Sequence, residues 1–230
     1  MLHDTHYWDK FYSVGSNKEI EKPSSFSDFT IDYLSHFILN EYVRPYDLKL
    51  LDVGCGNGRD TFFFAENGFN VHSIDYSYNA VALINDNILK NQVTNIKAFK
   101  QDFTQINNQT LLDCKYNIIY SRFSLHSVPY EGELRFIEWA RHHMTRNGRL
   151  FIEVRSVKDK MCGVGNKIEC EENAWSNTHY RRFHDLHTLL NDLTNYGFQV
   201  LYHNEVNGLT KINGDDPVVI RVIAKINNLK

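Results

Sequence analysis

Residues 50–60 read LLDVGCGNGRD, in which an apolar run with an acidic residue precedes three glycines at alternate positions. The apolar run predicts a buried parallel strand, and the residues after the last glycine predict the start of a helix. Glycine is needed where the backbone turns sharply or where a ligand approaches more closely than a Cβ atom permits. The stretch therefore predicts a ligand-binding turn, although a glycine-rich turn without a ligand has the same local pattern.

The spacing of the glycines and the charge of Asp52 indicate the chemistry of that ligand. Gly54, Gly56 and Gly58 follow Gly-x-Gly-x-Gly, whereas turns that hold a dinucleotide pyrophosphate follow Gly-x-Gly-x-x-Gly. The carboxylate of Asp52 would repel a phosphate and attract a cation. S-adenosylmethionine carries an ammonium and a sulfonium group, and the stretch resembles motif I of the class I S-adenosylmethionine-dependent methyltransferases.

Length and composition favour one domain, residues 1–230, with a sizeable core that includes many of the 15 Phe and 13 Tyr residues. A net charge of −3 gives no global field that would attract nucleic acid or an anionic membrane. No apolar run approaches the length of a membrane span, and the first residues lack the layout of a signal peptide. The four cysteines form no Cys-x-x-Cys pair, so we expect a reduced, cytoplasmic protein, either a monomer or a homodimer.

Strand and helix patterns alternate along residues 48–224. The predicted strands are residues 50–53, 69–75, 96–100, 116–120, 149–155, 198–206 and 217–224, and the predicted helices are residues 26–42, 59–67, 76–90, 133–143 and 185–196. The resemblance implies a Rossmann-like α/β fold, in which a seven-stranded, mostly parallel sheet of order 3-2-1-4-5-7-6 has helices on both faces. The last two strands have the pattern of an antiparallel hairpin.

Residues that follow the second and third predicted strands match further cofactor positions of the resembled family. Asp75 lies about 20 residues after the glycine turn, where a carboxylate can accept hydrogen bonds from ribose hydroxyls. Asp102 and Phe103 match an acid that binds the adenine amino group and an apolar neighbour of that ring, although turns favour aspartate anyway. Residues 1–47 are expected to form a helical cap, from which Tyr12 contacts the cofactor or packs in the core. The predicted cofactor contacts are Tyr12, Asp52, Gly54, Cys55, Gly56, Arg59, Asp60, Asp75, Tyr76, Asp102, Phe103 and Ser121.

Residues after the fourth predicted strand face the transferred methyl group in the resembled fold, because ligands bind outside the carboxyl ends of parallel strands. This chain has Ser121-Arg122-Phe123-Ser124 there, which disfavours the adenine-N6 and glutamine methyltransferases and their Asn-Pro-Pro-Tyr loop. Arg122 and His126 are the candidate catalytic residues. Residues 156–182 are the least regular part of the chain and are expected to be an insertion that forms a substrate lid. The predicted acceptor contacts are Arg155, His179, Tyr180, Arg181 and Arg182.

Several arginines from separate segments indicate an anionic acceptor, because the guanidinium fork suits oxyanions such as phosphate. The alternative is that these arginines form ordinary ion pairs, for example between Arg155 and Glu153. The expected chemistry requires no metal. Four residues that could be imagined as zinc ligands match no usual zinc spacing: Cys162, Cys170, His179 and His184.

A narrower likeness relates the chain to small methyltransferases of bacterial capsule and surface-polysaccharide gene clusters. The motifs that carry it are Tyr7-Trp8, Tyr12 and residues 23–26, 120–126, 153–156, 179–183 and 216–221. That group is similar to enzymes thought to methylate the phosphoramidate decoration of capsules. The likeness therefore implies O-methylation of a phosphate or phosphoramidate intermediate.

Three functions are compatible with these patterns. The first is an O-methyltransferase of a small anionic molecule, with S-adenosylmethionine as cofactor and S-adenosylhomocysteine as product. The second is a hydroxyl O-methyltransferase of a sugar or small metabolite, in which His126 is the general base. The third is a cofactor-binding protein without catalysis, although nothing in motif I is eroded. The acidic balance and the lack of a basic stripe argue against RNA as the acceptor.

Overall fold

The computed structural model describes residues 5–14, 22–41, 44–106, 114–212 and 214–227. The α-helices are α1 (Thr5–Ser13), α2 (Ser25–Glu41), α3 (Arg59–Glu66), α4 (Tyr78–Asn91), α5 (Tyr130–His143) and α6 (Leu186–Asn195). The strands are β1 (Lys49–Val53), β2 (Asn70–Asp75), β3 (Ile96–Lys100), β4 (Tyr116–Arg122), β5 (Met144–Arg155), β6 (Asn166–Lys167), β7 (Ala174–Ser176), β8 (Tyr180–Arg182), β9 (Phe198–Val206) and β10 (Val219–Ile226). Within the described residues, no helix combines the length and the apolar character needed to cross a bilayer.

Seven strands form one sheet in the order β3-β2-β1-β4-β5-β10-β9. The first five of these run parallel, and β10 pairs antiparallel with both β5 and β9. This confirms the predicted Rossmann-like α/β class with a mostly parallel seven-stranded sheet. The strand numbers differ from the predicted order 3-2-1-4-5-7-6, because β6, β7 and β8 intervene in the chain and form a second, smaller sheet.

The central strands are buried on both faces, which explains their nearly continuous apolar sequences. Leu51 of β1 joins a cluster with Phe136 of α5, whereas its neighbour Leu50 joins a second cluster with Phe64 of α3 and Ile84 of α4. Successive residues of a strand face opposite sides of the sheet, so these two clusters are the cores on its two faces. Helices therefore cover both faces, and the carboxyl ends of the parallel strands are left for a ligand.

The segment predicted to be an irregular insertion, residues 156–182, contains a three-stranded antiparallel sheet. The central strand β7 pairs with β6 on one side and with β8 on the other. This sheet is anchored to α5, where the buried carboxylate of Glu133 pairs with Arg182 and with His184, the latter at 2.6 Å. The sequence did not reveal these strands, because strands of two or three residues are too short to show a periodic pattern. The role of the segment as a lid stays a prediction.

Two helices precede the sheet and are tied to the helices that follow β1 and β2. Asp9 of α1 accepts a hydrogen bond from Ser77 Oγ at 2.7 Å, and its carbonyl accepts one from Asn79 Nδ2 at 2.9 Å. At the start of α2, the amide and the hydroxyl of Ser24 both donate to Asp60 at 2.9 Å. These bonds attach the expected helical cap, residues 1–47, to α4 and α3. Parts of the cap, residues 1–4, 15–21, 42 and 43, lie outside the described residues.

Several predicted boundaries were wrong by two or more residues, among them the starts of β5 and α4. β5 begins at Met144 rather than at residue 149, because its first residue pairs with Tyr116 before a register shift. α4 begins at Tyr78 rather than at residue 76, because Ser77 caps the helix and accepts a hydrogen bond from the Ala80 amide at 3.2 Å. Both errors come from backbone pairing and capping that residue periodicity does not encode.

The buried ion pair between α5 and β8 predicts how firmly the small sheet is held. Glu133→Gln should lower the free energy of unfolding by about 3–5 kcal/mol, because it leaves the Arg182 guanidinium buried without its carboxylate. Urea unfolding followed by circular dichroism measures this change. Glu131→Gln is a matched control in the same helix, since that side chain is 85% exposed, and it should cost less than about 0.5 kcal/mol. Equal losses in the two variants would contradict the prediction.

Candidate active site

The glycine turn after β1 is packed closely against two other segments. Gly54 and Gly56 have φ angles of +69° and +56°, which glycine adopts without strain. A Cβ atom on Gly54 would overlap the side chain of Ser124, and one on Gly56 would overlap the hydroxyl of Tyr12. The Gly56 amide also donates a hydrogen bond to Asp75 Oδ2 at 2.9 Å. Conformation and space therefore both require glycine at these positions.

A cavity of about 410 Å³ lies at the carboxyl ends of the parallel strands. Its wall is formed by the turn after β1, the ends of β2, β4 and β5, helix α1 and residues at β8. The predicted site residues on this wall are Tyr12, Asp52, Gly54, Cys55, Gly56, Arg59, Asp60, Asp75, Tyr76, Phe103, Arg122, His126, Arg155, His179 and Arg181. The predicted site residues that are not on it are Asp102, Ser121, Tyr180 and Arg182.

Asp52 is a buried carboxylate at the end of β1. It is 3% exposed, and Thr61 Oγ1 donates a hydrogen bond to its Oδ2 at 2.6 Å. Within the described part of the chain, no ion pair joins it to a cationic side chain. Burial, with a smaller contribution from the charge of Asp60, raises the pKa of Asp52 to about 7. A cationic ligand beside it would lower that pKa and stabilise the carboxylate.

A second buried carboxylate, Asp75, ends β2. Its Oδ1 accepts a hydrogen bond from the Ser77 amide at 2.8 Å, and its Oδ2 accepts the one from Gly56. Each carboxylate oxygen can accept a second hydrogen bond, which is what a pair of ribose hydroxyls would offer. Burial raises the pKa of Asp75, of the Cys55 thiol and of the Tyr12 phenol. The thiol and the phenol are therefore neutral at pH 7.

Asp60 lies on the cavity wall, but its carboxylate is engaged by the protein. Ser24 donates to it twice, and Ser27 Oγ and the Tyr120 hydroxyl each donate at 2.9 Å. These donors come from α2 and β4, so Asp60 joins the cap to the sheet. The structure gives this side chain an anchoring role, and its contact with the cofactor stays a prediction.

Asp102 and Ser121 do not lie on the cavity wall, and both have local partners. Asp102 Oδ1 accepts hydrogen bonds from the Thr104 amide at 2.8 Å and from its hydroxyl at 2.7 Å, and so caps the short 3-10 helix Phe103–Gln105. Ser121 Oγ lies 2.6 Å from Ser124 Oγ. Capping and turn formation account for these bonds, and the cofactor contacts of the two side chains stay predictions.

Arg122 lies on the cavity wall at the end of β4, the strand that pairs with β1, and is tied to a buried carboxylate. Its Nε donates to Glu153 Oε1 at 3.1 Å. Glu153 is fully buried and also accepts from Arg221 Nε at 2.6 Å and from the Thr210 hydroxyl at 3.0 Å. One carboxylate thus faces two guanidinium groups, which leaves positive charge on this part of the cavity wall.

Arg155 ends β5 beside Arg122 and has different partners from those the sequence suggested. Its Nη1 lies 3.1 Å from Asp159 Oδ2 and 3.8 Å from Asp215 Oδ2. The ion pair with Glu153 that the sequence suggested does not form, because Arg122 and Arg221 occupy that carboxylate. Arg155 is thereby fixed on the cavity wall.

Arg181 reaches the cavity from β8 without a carboxylate partner among the described residues. Its Nη2 donates to His179 Nε2 at 2.9 Å, and its buried Nε has no hydrogen-bond partner within the described chain. Burial, and then repulsion by Arg155, lowers the pKa of Arg181. A bound anion would offset both effects.

His126 lies in the short 3-10 helix Leu125–Ser127, which follows β4. It is 5% exposed, and its Nδ1 has no partner among the described residues. Burial lowers the pKa of His126 well below its usual value, and the charges of Arg181 and Arg155 lower it further. The imidazole is therefore neutral at pH 7 and offers one uncommitted ring nitrogen to a ligand.

Tyr180 and Arg182 face away from the cavity. Successive residues of a strand face opposite sides, so β8 presents Arg181 to the cavity and its two neighbours to α5. Arg182 donates to Glu133 and lies 3.1 Å from His184 Nε2. Arg182 therefore holds the small sheet against α5. Neither Tyr180 nor Arg182 lies on the cavity wall, so nothing in the cavity supports the acceptor contacts predicted for them.

Aromatic rings of α1 form a further part of the wall. The ring of Tyr7 stacks on His179 with centroids 4.5 Å apart, and Trp8 meets the same imidazole edge-on at 5.1 Å. Phe11 packs between Trp8 at 5.6 Å and Tyr12 at 5.1 Å. These rings connect the Tyr12 hydroxyl beside Gly56 with the imidazole beside Arg181, and they reduce the access of water to the cavity.

Several wall residues were not predicted as site residues. They are Tyr7, Trp8, Phe11, Asn57, Tyr120, Phe123, Ser124, Ser127, Val128 and Ile212. The density of aromatic residues near the start of the chain was a usable signal for three of them. Phe123 gave no signal, because an apolar residue after a strand is usually assigned to the core. Ile212 lies far along the chain, in a loop that no local pattern relates to the site.

A family model described as a methyltransferase domain matches residues 28–203. The chain belongs to the class I S-adenosylmethionine-dependent methyltransferases. This methyltransferase is 26% identical to the uncharacterized protein YbxB of Bacillus subtilis (strain 168) over 184 residues. The matched region covers 71% of this chain and 86% of YbxB. It spans less than half the length of the other curated relatives that it matches.

Solved structures have the same fold. An S-adenosylmethionine-dependent methyltransferase from Clostridium acetobutylicum ATCC 824 has a TM-score of 0.66 at 14% identity, with 97% of each chain covered. The glycopeptide N-methyltransferase MtfA, complexed with S-adenosyl-L-methionine, has a TM-score of 0.60 at 14% identity and covers 82% of this chain and 91% of its own. Similarity at this level of identity shows the fold alone.

The cofactor of this methyltransferase is S-adenosylmethionine, which supplies an electrophilic methyl group when bound. The residues at the glycine turn fit such a ligand, because Asp52 lacks a cationic partner in the described chain and the glycines leave space that a Cβ atom would fill. Asp52, Asp75 and the glycine turn would hold it. Among the described residues, no group of three or more His, Cys, Asp or Glu side chains is arranged to hold a metal ion.

The raised pKa of Asp52 predicts that cofactor affinity depends on pH. Affinity should increase as the pH rises through about 7, because the ionised carboxylate attracts the cationic cofactor and the protonated form does not. The dissociation constant at pH 5.5 should be up to roughly 30-fold higher than at pH 8.5. Calorimetric titration with S-adenosylmethionine measures it. Asp52→Asn should bind weakly with little pH dependence, whereas Asp86→Asn, at an exposed position of α4, should behave like the parent protein.

Asp52 also affects the stability of the ligand-free protein. In the unfolded chain Asp52 ionises near its ordinary pKa of 3.8, whereas in the folded protein it keeps its proton up to about pH 7. The contribution of Asp52 to stability therefore falls as the pH rises between these values. Asp52→Asn should therefore raise the unfolding temperature, and by more at pH 8 than at pH 5. Thermal unfolding of the parent protein and of Asp52→Asn at the two pH values tests this prediction. A lower unfolding temperature for Asp52→Asn than for the parent protein at pH 8 would contradict it.

Proposed function

We propose that this methyltransferase transfers a methyl group to an oxygen atom of a small anionic acceptor. The observation that carries the proposal is Arg181, a largely buried guanidinium on the cavity wall that has no carboxylate partner in the described chain and lies near a second cation, Arg155. Isolated buried charges are costly, so such a group is best explained by a ligand of opposite charge.

The positions of the charged residues on the cavity wall support this proposal. Asp52 and Asp75 lie beside the glycine turn and suit the cationic cofactor, whereas Arg122, Arg155 and Arg181 suit an anion. Attraction between a cationic methyl donor and an anionic acceptor favours their approach to the roughly 3 Å separation that an in-line displacement requires. Because an anionic oxygen carries no proton, the reaction needs positioning by the arginines and no general base.

The narrower likeness of the chain favours a phosphate or phosphoramidate intermediate of bacterial capsule or surface-polysaccharide synthesis as this acceptor. A tetrahedral oxyanion can accept hydrogen bonds from several guanidinium groups at once, and three arginines reach the wall from β4, β5 and β8. A screen of phosphorylated, phosphoramidate and sugar acceptors with a labelled methyl donor tests the proposal. Methylation of neutral sugars only would overturn it.

A second candidate is methylation of a hydroxyl group with His126 as the general base. The observation that favours it is the neutral imidazole on the cavity wall, whose Nδ1 has no partner among the described residues. A neutral histidine can remove the proton from a hydroxyl as the methyl group is transferred. Its strongly lowered pKa makes His126 a weak base, which ranks this candidate second.

Removal of the Arg181 charge should weaken binding of the acceptor and not of the cofactor. Arg181→Gln is expected to raise the KM of the acceptor found in the screen by about 10- to 100-fold, because hydrogen bonds between charged groups are lost. The dissociation constant of S-adenosylmethionine should change less than about twofold. Steady-state kinetics and calorimetry measure both quantities. Arg135→Gln is the control, since its side chain is 55% exposed on α5, and an unchanged KM in Arg181→Gln would contradict the proposal.

Replacement of His126 distinguishes the two candidates. If His126 only contacts the acceptor, His126→Asn should raise the acceptor KM by up to about tenfold and leave kcat nearly unchanged at every pH. If it is the base, kcat should fall by about 100-fold or more and recover as the pH rises. The pH profile of kcat from pH 6 to pH 9.5 measures the difference. We expect the first result, and recovery at high pH would favour the hydroxyl acceptor.

A further inference from the structure

Phe123 follows β4 in a backbone conformation that bulky residues rarely adopt. Its φ angle is +55°, in the left-handed region that favours glycine. The conformation is held by a hydrogen bond from the Phe123 amide to the Glu153 carbonyl at 2.9 Å. The next residue, Ser124, packs against Gly54 of the glycine turn. A phenylalanine is thus kept in a strained turn beside the glycine turn.

Packing in the core does not account for this phenylalanine. Among the described residues, Phe123 belongs to neither core cluster and is not one of the apolar residues packed against them. Its half-buried ring lies on the wall of the cavity instead. Strain in the backbone persists where the surrounding structure holds it in place, and it concentrates at functional sites. A role for the ring must therefore be sought in its contacts with the cavity.

The ring of Phe123 contacts two guanidinium groups from neighbouring strands. The Cζ atom of Arg122, at the end of β4, lies 4.6 Å from the ring centroid, and that of Arg155, at the end of β5, lies 5.9 Å from it. Both distances are within the range of about 6 Å over which an aromatic face attracts a cation. The imidazole of His126 lies 5.2 Å from the same ring.

These contacts have a consequence for the geometry of the acceptor site. Two guanidinium groups repel each other, and each is bound to a carboxylate through part of its fork only, Arg122 to Glu153 and Arg155 to Asp159. A shared aromatic ring attracts both cations without neutralising either one, so their remaining N–H groups keep their charge for a ligand. A carboxylate in the same place would hold the arginines equally well and would repel an anion.

We propose that Phe123 is a positioning residue that holds Arg122 and Arg155 together for the anionic group of the acceptor, an inference that rests on the function proposed above. The quadrupole of the ring, rather than its volume, performs this role. The residue also determines specificity, because loss of the ring lets the two guanidinium groups separate and weakens the site for a compact oxyanion.

The test uses inorganic phosphate as the probe, added to the full chain saturated with S-adenosylhomocysteine. Isothermal titration calorimetry measures the dissociation constant of phosphate for the parent protein, Phe123→Leu and Phe123→Tyr. Phe123→Leu keeps an apolar side chain and removes the aromatic face, so phosphate should bind about tenfold more weakly. Phe123→Tyr retains the aromatic face and should restore binding to within about twofold of the parent value.

Two controls separate this role from a structural one. Phe29→Leu removes a ring of the same kind, 5.3 Å from the guanidinium of Arg221, at a position outside the cavity wall, and should leave phosphate binding unchanged. Arg221 keeps its bonds to Glu153 and to the Leu209 carbonyl in that variant. The affinity of every variant for S-adenosylhomocysteine should stay within about twofold, because a disturbed fold would also disturb the glycine turn.

The outcomes separate this inference from the proposed function. If phosphate binds the parent protein and Arg181→Gln weakens it, but Phe123→Leu binds as tightly as the parent, the role of Phe123 is overturned and the anionic acceptor stands. If Phe123→Tyr binds as weakly as Phe123→Leu, the aromatic face is not the cause and the inference also fails. If phosphate does not bind the parent protein at all, the anionic acceptor is overturned together with this inference.

Discussion

The parallel pairing of β1 with β2 and β4 is the constraint on which the site depends. Parallel strands end at the same edge of a sheet, so residues that are far apart in the chain meet there: the glycine turn after β1, Asp75 at the end of β2 and Arg122 at the end of β4. Because β5 is also parallel to β4, Arg155 joins them. The cavity is therefore a product of topology, and its chemistry depends on which residue happens to end each strand.

Local sequence was sufficient to predict that the glycine turn and Asp75 lie together on one wall of the cavity. The glycine spacing and the distance to Asp75 are properties of one strand–turn–helix–strand unit, and no distant residue is needed to interpret them. Asp60 shows the limit of prediction from local sequence. Its position in the helix that follows the turn suggested a ligand contact, whereas its carboxylate is engaged by Ser24, Ser27 and Tyr120. Such partners become apparent only after the chain has folded.

The arginine-bearing part of the cavity wall was harder to predict for a different reason. Arg181 and Arg182 are adjacent and chemically identical, and the sequence assigned both to the acceptor. Alternation along a strand would have separated them, but β8 has only three residues and leaves no recognisable pattern. Phe123 was overlooked because its role depends on a left-handed backbone and on an arginine from another strand. The net charge of −3 was equally uninformative, since it does not reveal that four arginines line one cavity.

The carboxylate of Glu153 has a consequence for how the specificity of this enzyme can change. It binds Arg122, Arg221 and Thr210 simultaneously, so these residues form one electrostatic unit in which the effect of a substitution depends on the others. Single replacements inside the unit would leave a charge buried without compensation, and viable variants require coordinated changes. Arg181 is not bound to that carboxylate, and it can be exchanged without disturbing the sheet. If these arginines bind the acceptor as proposed, new acceptor preferences should evolve, or be engineered, first at β8 and only later at the ends of β4 and β5.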